Sequence, residues 1–379
     1  MHNHTQHSHH DHHLHGHGDC SHEHQQDGQS HSGHDHHACG CGNDHGHHDH
    51  HHGHHHHHET ETASAPLVLA DLLGAGAFGA GAWDVIEDDY QEPPFTEFTF
   101  SHKGVGWHVS QWGNAADMPL VMLHGFMQTA ATWNFFAPEL AQNHCVYALD
   151  FVGHGQSDKP DDAESYTYDA VVEAVEAFLR DVACVHPDTH EQRKAHILGY
   201  SMGGRVAAWV AARNPNLVYS VILESCNFGP VDEEEREAAQ ACTADWVERL
   251  RRDGIDDFVS FWEELPLFAT QKERALDAQL RPERTANDAN ALALCLEGMG
   301  KHAMPLEGDL IGSLTNTWLP LKYLCGSHDP SSERLARLLG REGFDVTTAS
   351  VGHNVHLEAP MAYLGTVRQF LEGIELRGL

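Results

Sequence analysis

Hydrophobic and polar positions divide the chain into an N-terminal region without a hydrophobic pattern and a longer region that has one. Residues 1–58 hold almost no apolar side chains, so they cannot form a core and are expected to be disordered. From residue 95 to residue 111, apolar and polar residues alternate, which predicts two short strands around Lys103 and Gly104. Beyond them, short apolar runs alternate with segments of helical spacing, and this predicts an α/β fold with a mostly parallel sheet and helices on both faces.

Short apolar runs mark the predicted strands of this sheet, and apolar residues at helical spacing mark the helices between them. The predicted strands lie at residues 119–123, 145–151, 196–198, 219–225, 321–325 and 345–350. The main predicted helices lie at residues 129–143, 168–182 and 360–371. Ligands of such sheets bind at the carboxyl ends of the strands, so the loops after these strands are where a functional site is expected.

The regular alternation of strands and helices stops after Cys226 and resumes only at Leu321. The intervening segment has helical spacing throughout, and the predicted helices lie at residues 233–242, 243–252, 255–264, 271–280 and 288–299. Helices inserted here would cover the carboxyl ends of the strands. The sequence therefore predicts a helical lid at about residues 228–317.

Residues 195–209, AHILGYSMGGRVAAW, carry the most specific local pattern of the chain. An apolar run leads into Gly199, Ser201 and Gly203, and a helix-forming segment follows. In a nucleophile elbow the serine has a strained backbone, so its neighbours must be small, and the two glycines meet that need. An ordinary glycine-rich turn would also contain these glycines, but the strand before them and the helix after them favour the nucleophile elbow.

A serine hydroxyl alone is a weak nucleophile and base, so Ser201 needs a histidine and an acid. Asp329 directly follows one predicted strand, and His353 follows the next one along the chain. The order serine, acid, histidine is that of α/β-hydrolase triads. Glu224, which also ends a strand, is the alternative acid, and His356 is the alternative histidine, although packing or polar support suits His356 better.

The loop after the strand at residues 119–123 has the sequence His124-Gly125-Phe126. His124 is expected to be structural, because Gly125 lets the backbone turn so that the amide of Phe126 faces the serine. Together with the amide of Met202, it would form an oxyanion hole.

Charge narrows the set of partners. The chain has 22 lysines and arginines against 56 aspartates and glutamates, a formal net charge of −34, which argues against nucleic acid and anionic membrane surfaces as partners. An anionic substrate would then need local basic residues. Arg205 is one candidate, because it lies one helical turn after Ser201 on the same face.

The spacing of the cysteines and the apolar segments indicate where in the cell the protein is expected. The nine cysteines are irregularly spaced, a pattern typical of reduced, intracellular proteins. The N-terminus has no basic segment followed by an apolar core, and the apolar stretch at residues 66–83 is interrupted by Asp71, glycines and prolines. A cytoplasmic protein without membrane insertion is expected, and its oligomeric state is left open.

Most of the 38 histidines lie in residues 1–58, together with dispersed aspartates and cysteines. Neutral imidazole and thiolate suit zinc and nickel, so this tail is expected to bind several ions without a fixed geometry. The tail alternatively is a purification tag or neutral filler. Its most concentrated potential ligands are His54, His55, His56, His57, His58, Cys39 and Cys41. Residues 59–93 are predicted to be a linker, and residues 94–379 the catalytic domain.

Five segments resemble one enzyme family. They are GYSMGGR (199–205), LHGF (123–126), LDFVGHGQSD (149–158), FWEELPLFATQ (261–271) and GHNVHLEAP (352–360). Together they resemble the MenH-type 2-succinyl-6-hydroxy-2,4-cyclohexadiene-1-carboxylate synthases of menaquinone biosynthesis, lyases with the α/β-hydrolase fold that eliminate pyruvate. The resemblance extends from Phe95 to the C-terminus and leaves residues 1–93 uncovered.

The resemblance implies roles for individual residues. It implies a catalytic triad of Ser201, Asp329 and His353, with oxyanion-hole amides at Phe126 and Met202. The implied substrate-binding residues are Tyr200, Arg205, Arg236, Trp262 and Arg284.

The implied substrate is a small molecule with several carboxylates, which arginines bind through paired hydrogen bonds. No cofactor is expected for catalysis, and no metal site is expected in the catalytic domain. Two other functions stay open. One is a serine-triad hydrolase of esters or C–C bonds with the same fold, and the other is a metal-storage protein that retains a hydrolase scaffold.

Overall fold

The computed structural model describes residues 92–378, which contain a sheet of eight strands with the order β1-β2-β4-β3-β5-β6-β7-β8. The strands are β1 (Phe95–His102), β2 (Val105–Trp112), β3 (Met118–Leu123), β4 (His144–Leu149), β5 (Ala195–Tyr200), β6 (Val218–Glu224), β7 (Leu321–Gly326) and β8 (Asp345–Ala349). The predicted histidine-rich tail and nearly all of the predicted linker lie outside the described residues.

The sheet is antiparallel at one edge only. β1 pairs with β2 and β2 with β4 in antiparallel register, and every pairing from β4 to β8 across the rest of the sheet is parallel. The predicted α/β fold with a mostly parallel sheet is therefore confirmed. Because the parallel strands all end at the same edge, the loops after β3, β5, β7 and β8 meet there.

Eleven α-helices lie in the described residues. They are α1 (Ala137–Leu140), α2 (Tyr168–Phe178), α3 (Met202–Arg213), α4 (Glu233–Glu263), α5 (Ala269–Glu273), α6 (Asp277–Thr285), α7 (Ala289–Met299), α8 (Glu307–Thr317), α9 (Pro330–Arg341), α10 (Val355–Glu358) and α11 (Pro360–Glu375). Every helix in residues 92–378 is too short or too polar to cross a lipid bilayer.

Alternate residues of each central strand pack into separate apolar cores. In β3, Val121 and Leu123 join the core that contains α2 and α3, whereas Leu120 and Met122 join the core that contains α11. Successive side chains of a strand point to opposite faces of a sheet, so a continuous apolar run such as β3 must be covered on both sides. The helices therefore form a layer on each face, as predicted.

The helices from α4 to α8 form the inserted lid that the sequence predicts. The lid has an apolar core of its own, in which Val247, Leu250, Phe258 and Leu292 are buried. α4 runs without a break through residues 242 and 243, where the sequence pattern suggested two helices. Its kink lies instead at Gly254, whose φ of 82° is in the left-handed region that favours glycine.

Three local predictions were wrong or incomplete. The single helix predicted at residues 129–143 is a 3₁₀ turn (Ala130–Trp133) followed by the one-turn helix α1. Asp150 accepts the backbone N–H of Ala130 at 2.6 Å, and Pro138 starts a new helical turn, so the segment is divided. The segment predicted as one helix at residues 271–280 is divided between α5 and α6. Helices α8, α9 and α10 were not predicted, although Asp329 caps α9 and Pro330 occupies its first turn.

Candidate active site

Ser201 lies in the sharp turn between β5 and α3. Its φ of 49° is in the left-handed region, which is uncommon for a residue other than glycine, and its N–H donates to the Glu224 carbonyl at 2.8 Å. A Cβ on Gly199 would lie 2.3 Å from the Gly203 carbonyl, and one on Gly203 would lie 2.3 Å from the Leu123 carbonyl. The turn is therefore possible only with glycine at both positions, which is the geometry of a nucleophile elbow.

His353 and Asp329 meet Ser201 at the edge where the strands end. His353 Nε2 lies 3.1 Å from Ser201 Oγ, and His353 Nδ1 lies 2.7 Å from Asp329 Oδ2. Both His353 and Asp329 are buried. The three predicted residues thus form a continuous hydrogen-bonded chain in the order that a serine triad requires.

Asp329 is held in its ionised form by its neighbours. Burial alone would raise the pKa of its carboxyl, but hydrogen bonds from His353 and Ser332 together with the charge of His353 outweigh burial, and the pKa lies below its usual range. Ser332 donates its hydroxyl to Oδ2 at 2.5 Å and its backbone N–H to Oδ1 at 3.1 Å. An ionised acid in this place fixes the tautomer and orientation of His353.

The alternative acid and the alternative histidine pair with each other instead. His356 Nδ1 lies 2.9 Å from both carboxylate oxygens of Glu224, and its Nε2 lies 3.0 Å from the Thr132 hydroxyl. Both side chains are fully buried, and the His356 ring packs against Tyr200 at a centroid distance of 4.8 Å. This second pair supports the wall behind the triad, which agrees with the supporting role expected for His356.

The loop after β3 has the structure expected of one side of an oxyanion hole. His124 is fully buried; its Nδ1 donates to the Gly125 carbonyl at 2.7 Å and its Nε2 accepts the N–H of Phe151 at 3.0 Å. Burial lowers the pKa of His124, so the ring stays neutral and structural. A Cβ on Gly125 would lie 2.5 Å from the Tyr200 ring. The loop can therefore pass close to the elbow only with glycine there.

Two backbone amides near Ser201, those of Phe126 and Met202, are the candidates for the oxyanion hole. Phe126 follows Gly125 directly and lines the same cavity as Ser201. Met202 is the first residue of α3, and the first N–H groups of a helix have no partner within the helix. The positive end of the α3 dipole adds to the attraction for negative charge at this point.

A cavity of about 340 Å³ opens next to Ser201 under the lid. Its aromatic lining residues are Phe126, Tyr200, Trp246, Trp262 and Phe268. Its uncharged polar lining residues include Gln128, Asn227, Thr243 and Asn354. Tyr200 and Trp262, both predicted to bind substrate, thus lie in the cavity, and the Trp262 ring packs against Phe126 at a centroid distance of 5.3 Å.

The lysines and arginines that line this cavity are Arg205, Arg284 and Lys301, and no aspartate or glutamate among residues 92–378 lines it. Arg205 donates from Nη1 to the Met299 carbonyl at 3.1 Å, and its buried Nε has no acceptor in the described part of the chain. Lys301 pairs with Glu235. A buried guanidinium N–H without a protein acceptor is uncommon in folded proteins, so it marks Arg205 as a candidate ligand-binding residue.

Arg284 is buried and held by carboxylates outside the cavity lining. Its Nη1 lies 3.2 Å from Glu263 and 3.5 Å from Asp277, and its Nη2 donates to Gln271 at 3.2 Å. The guanidinium carbon is 5.6 Å from the centre of the Phe268 ring. These contacts fix the predicted arginine in the cavity wall.

Arg236 is not among the residues that line the cavity, contrary to the role that the resemblance implies for it. Its Nη1 donates to the backbone carbonyls of His302 and Met304, each at 2.6 Å, and its Nε pairs with Glu233 at 2.9 Å. The guanidinium thus holds the segment after α7 against the start of α4. Lys301, next to this segment, is the basic residue that reaches the cavity.

Lys301 is also the charged lining residue that the sequence analysis missed. It follows directly after the predicted helix at residues 288–299, but the pattern of apolar residues there does not indicate which way the side chain faces. Trp246, Asn227 and Thr243 were missed for the same reason, because their positions in the cavity depend on how the lid folds back over the sheet.

Comparisons with known proteins agree with this geometry. The family model described as the alpha/beta hydrolase fold matches residues 118–360. A Bacillus subtilis (strain 168) protein named for 2-succinyl-6-hydroxy-2,4-cyclohexadiene-1-carboxylate synthase is 30% identical over 278 residues, which cover 72% of this chain and 96% of the relative. The Enterobacter sp. (strain 638) synthase of the same name is 30% identical over 252 residues, covering 66% of this chain and 91% of its own length.

A solved structure, MenH from S. aureus, superposes with a TM-score of 0.63 at 25% identity and covers 70% of this chain and 98% of that one. The relatives are thus matched over nearly their whole length, and both their sequences and their fold correspond to the part of the chain that contains the candidate site. The chain therefore belongs to the α/β-hydrolase fold family and, within it, to the family of 2-succinyl-6-hydroxy-2,4-cyclohexadiene-1-carboxylate synthases.

Proposed function

We propose that the protein is a lyase of menaquinone biosynthesis that eliminates pyruvate from 2-succinyl-5-enolpyruvyl-6-hydroxy-3-cyclohexene-1-carboxylate, giving 2-succinyl-6-hydroxy-2,4-cyclohexadiene-1-carboxylate. The relatives carry this enzyme name. The observation that carries the proposal is the hydrogen-bonded chain of Ser201, His353 and Asp329. It lies beside a cavity that is lined by two arginines and a lysine and by no aspartate or glutamate of the described residues. A substrate with three carboxylates suits such a lining.

The strongly negative net charge of the chain makes basic residues in the cavity important for binding an anionic substrate. With a formal net charge of −34, the protein as a whole repels an anionic substrate, and local positive charge must compensate near the site. Arg205 has an unused buried N–H, and Lys301 and Arg284 lie in the same cavity. Glu263, Asp277 and Glu235 already pair with Arg284 and Lys301, so in this scheme the three basic side chains offer their remaining N–H groups to the succinyl, ring and enolpyruvyl carboxylates.

The first step is proton removal from the substrate ring. The Ser201 oxygen takes the ring proton while its own hydroxyl proton passes to His353 Nε2, and Asp329 stabilises the imidazolium that results. The electrons of the broken C–H bond move toward the succinyl carbonyl. The backbone N–H groups of Phe126 and Met202 stabilise the negative charge on that carbonyl oxygen.

The second step breaks the bond between the ring and the enolpyruvyl oxygen. The electrons stored on the succinyl carbonyl return to form the new ring double bond, and the leaving enolate takes the proton from His353 to become pyruvate. The proton count is balanced, and the chemistry needs no redox partner. Tyr200 and Trp262 contribute apolar surface beside the ring in this scheme.

A paired assay tests the proposal. The purified protein is given the enolpyruvyl substrate, with pyruvate release followed by a coupled lactate dehydrogenase reaction, and in parallel a panel of p-nitrophenyl esters. We expect rapid pyruvate release and slow ester turnover. Fast ester hydrolysis without pyruvate release would instead indicate a hydrolase with the same triad, and activity in neither assay would favour a scaffold without catalysis.

A further inference from the structure

Two histidines and a glutamate cluster at the other end of the strands from Ser201. His144 begins β4, His196 is the second residue of β5, and Glu375 ends α11. Ser201 follows His196 by five residues, so at about 3.3 Å per strand residue the two lie roughly 16 Å apart. The cluster is therefore separate from the candidate active site.

The three side chains direct their ligand atoms at one point. Glu375 Oε1 lies 2.8 Å from His144 Nε2 and 3.2 Å from His196 Nε2, and one ligand atom from each residue lies within 4.8 Å of the other two. The His196 side chain is fully buried and that of His144 nearly so, whereas the Glu375 side chain is 31% exposed. The cluster thus has a closed inner side and one side through which an ion can enter.

The far nitrogens of both rings are already bonded to the protein. His144 Nδ1 lies 3.0 Å from the Leu140 carbonyl, and His196 Nδ1 lies 2.7 Å from the Ser220 hydroxyl. A carbonyl only accepts hydrogen bonds, so His144 Nδ1 carries a hydrogen, and both rings turn Nε2 toward the Glu375 carboxylate. An ion bound between the two Nε2 atoms and the carboxylate would leave these outer hydrogen bonds in place.

We propose that His144, His196 and Glu375 bind a divalent transition-metal ion of the zinc class. Two imidazoles and one carboxylate form a donor set that zinc accepts, with one position left for water. Bonds of about 2.0–2.2 Å place tetrahedral ligand atoms roughly 3.3 Å apart. Glu375 Oε1 already lies 2.8 Å and 3.2 Å from the two Nε2 atoms, and all three atoms lie within 4.8 Å of one another, so binding would require the two rings to approach by at most about 1.5 Å. Histidine ligands that donate their other N–H to backbone carbonyls, as His144 does, are typical of metal sites.

The bound ion would connect α11 to β4 and β5, so the folded protein would bind it and the unfolded chain would lose this site. The test measures the melting temperature of the full-length protein in EDTA and in ZnCl₂. Zinc at about a hundredfold its dissociation constant should raise the melting temperature by several degrees. Zinc bound by the histidines of residues 1–58 lies outside this site, and binding that is equal in the folded and unfolded states does not shift the transition.

Glu375→Gln should abolish the zinc-dependent rise, since the amide keeps the shape of the side chain but is a poor ligand. Glu372→Gln is the matched control, because Glu372 is exposed on the same helix and lies outside the cluster, so the rise should persist. Any effect of Glu375→Gln in EDTA reports only the lost hydrogen bonds. An equal zinc-dependent rise in Glu375→Gln and the unaltered protein would overturn the proposal.

Crystals of the full-length protein grown with ZnCl₂ give a second measurement that needs no variant. Diffraction at the zinc absorption edge should show an anomalous peak about 2.0–2.2 Å from His144 Nε2, His196 Nε2 and Glu375 Oε1. Zinc peaks only elsewhere on the protein would contradict the proposal.

Discussion

Ser201 has a backbone conformation that costs free energy, of the order of 1–3 kcal/mol for a residue of this kind in the left-handed region. The glycines around it, the hydrogen bond to the Glu224 carbonyl and the start of α3 hold it there. The strain places Oγ at 3.1 Å from His353 and beside the cavity. The fold thus holds the Ser201 hydroxyl beside His353 and the cavity at a cost in stability.

Replacing Ser201 with alanine should reduce the rate of pyruvate release by several orders of magnitude, as deletion of a triad serine does in hydrolases. The substitution removes the hydroxyl but leaves the β5–α3 turn intact, so thermal unfolding should change little. Steady-state kinetics together with a melting curve test this. A folded variant with near-normal pyruvate release would show that the triad assignment is wrong.

Lys301 tests the role of the basic lining. Lys301→Gln removes one cation from the cavity and should raise KM for the anionic substrate about tenfold or more while changing kcat less, because a charge-assisted hydrogen bond is worth about 1.5–3 kcal/mol. Arg252→Gln is the control, since Arg252 is exposed on the lid and pairs with Glu248 and Asp253. Equal effects of the two substitutions would exclude a specific contact from Lys301.

Asp329 predicts a pH dependence of stability. Its pKa is lower in the folded state than the value of about 3.9 expected in the unfolded chain, so its ionisation stabilises the fold fully above that value. The contribution is lost as the pH falls from about 4 through the lower, folded value. Urea unfolding of the protein and of Asp329→Asn between pH 3 and 7 should therefore give a difference that shrinks below pH 4. A difference that stays constant across this range would contradict the prediction.

At the scale of elements, the close approach of β3, β5 and α3 determines the elbow. Gly203→Ala places a methyl group 2.3 Å from the Leu123 carbonyl, so the backbone must shift. We expect a loss of several kcal/mol of unfolding free energy, typical of overpacked or strained sites, and a large loss of activity. Thermal or urea unfolding and pyruvate release measure the two effects.

Gly312→Ala is the matched control for this prediction. Gly312 is an exposed residue of α8, and an added Cβ would meet nothing within 4 Å. Alanine favours a helix over glycine by about 0.5–1 kcal/mol, so this variant should be slightly more stable and equally active. Comparable destabilisation by both substitutions would show that glycine is not specifically required in the elbow.

Most of the parallel strands were predictable because a buried strand needs an apolar run, and five such runs fall on strands of the sheet. The edge strand β8 has no such run, since it contains Asp345 and two threonines and is partly exposed. The division of the segment between Thr129 and Asn143 was not predictable. Asp150, which follows β4, accepts the backbone N–H of Ala130 at the start of this segment, and the local sequence does not indicate that contact. Helix propensity is a weak preference that such contacts override. The kink of α4 lies at Gly254 because only the glycine adopts the required φ.

The triad residues of the candidate site were predictable because their places follow from the order of the strands along the chain. The lid residues were not, because their places depend on how the helices pack. Ser201, Asp329 and His353 each lie within four residues of the carboxyl end of a parallel strand, so topology brings them to the same edge of the sheet. Arg236 and Lys301 lie on the lid, where the direction of a side chain depends on how helices cross. The cluster of His144, His196 and Glu375 could not be predicted either, since its members are far apart in sequence and form no spaced motif.

At the scale of the whole molecule, charge is distributed unevenly. The chain carries a formal net charge of −34, yet the cavity is lined by Arg205, Arg284 and Lys301 and by no aspartate or glutamate of residues 92–378. Carboxylates that do not line the cavity, among them Glu235, Glu263 and Asp277, pair with Lys301 and Arg284 and hold them in place. The proposed substrate, which carries several carboxylates, would thus be repelled by most of the surface and attracted at one place.

The histidine-rich residues 1–58 lie outside both the described residues and the family match, which covers residues 118–360. The proposed chemistry uses no metal. Deleting residues 1–58 should therefore leave kcat and KM for pyruvate release unchanged, with or without EDTA, while removing most of the zinc or nickel that the full-length protein binds. Binding by the tail should weaken as the pH falls through about 6.5, since imidazole must be neutral to bind a metal.

The number of ions bound distinguishes the tail from the folded domain in this experiment. The shortened chain should retain one zinc ion, at His144, His196 and Glu375, and lose that ion in Glu375→Gln. Metal analysis after gel filtration, run beside the kinetic assay, measures both quantities on the same samples. A large loss of activity on deletion, or on chelation of the full-length protein but not of the shortened one, would show that residues 1–58 belong to the catalytic machinery and that the domain boundary near residue 94 is misplaced.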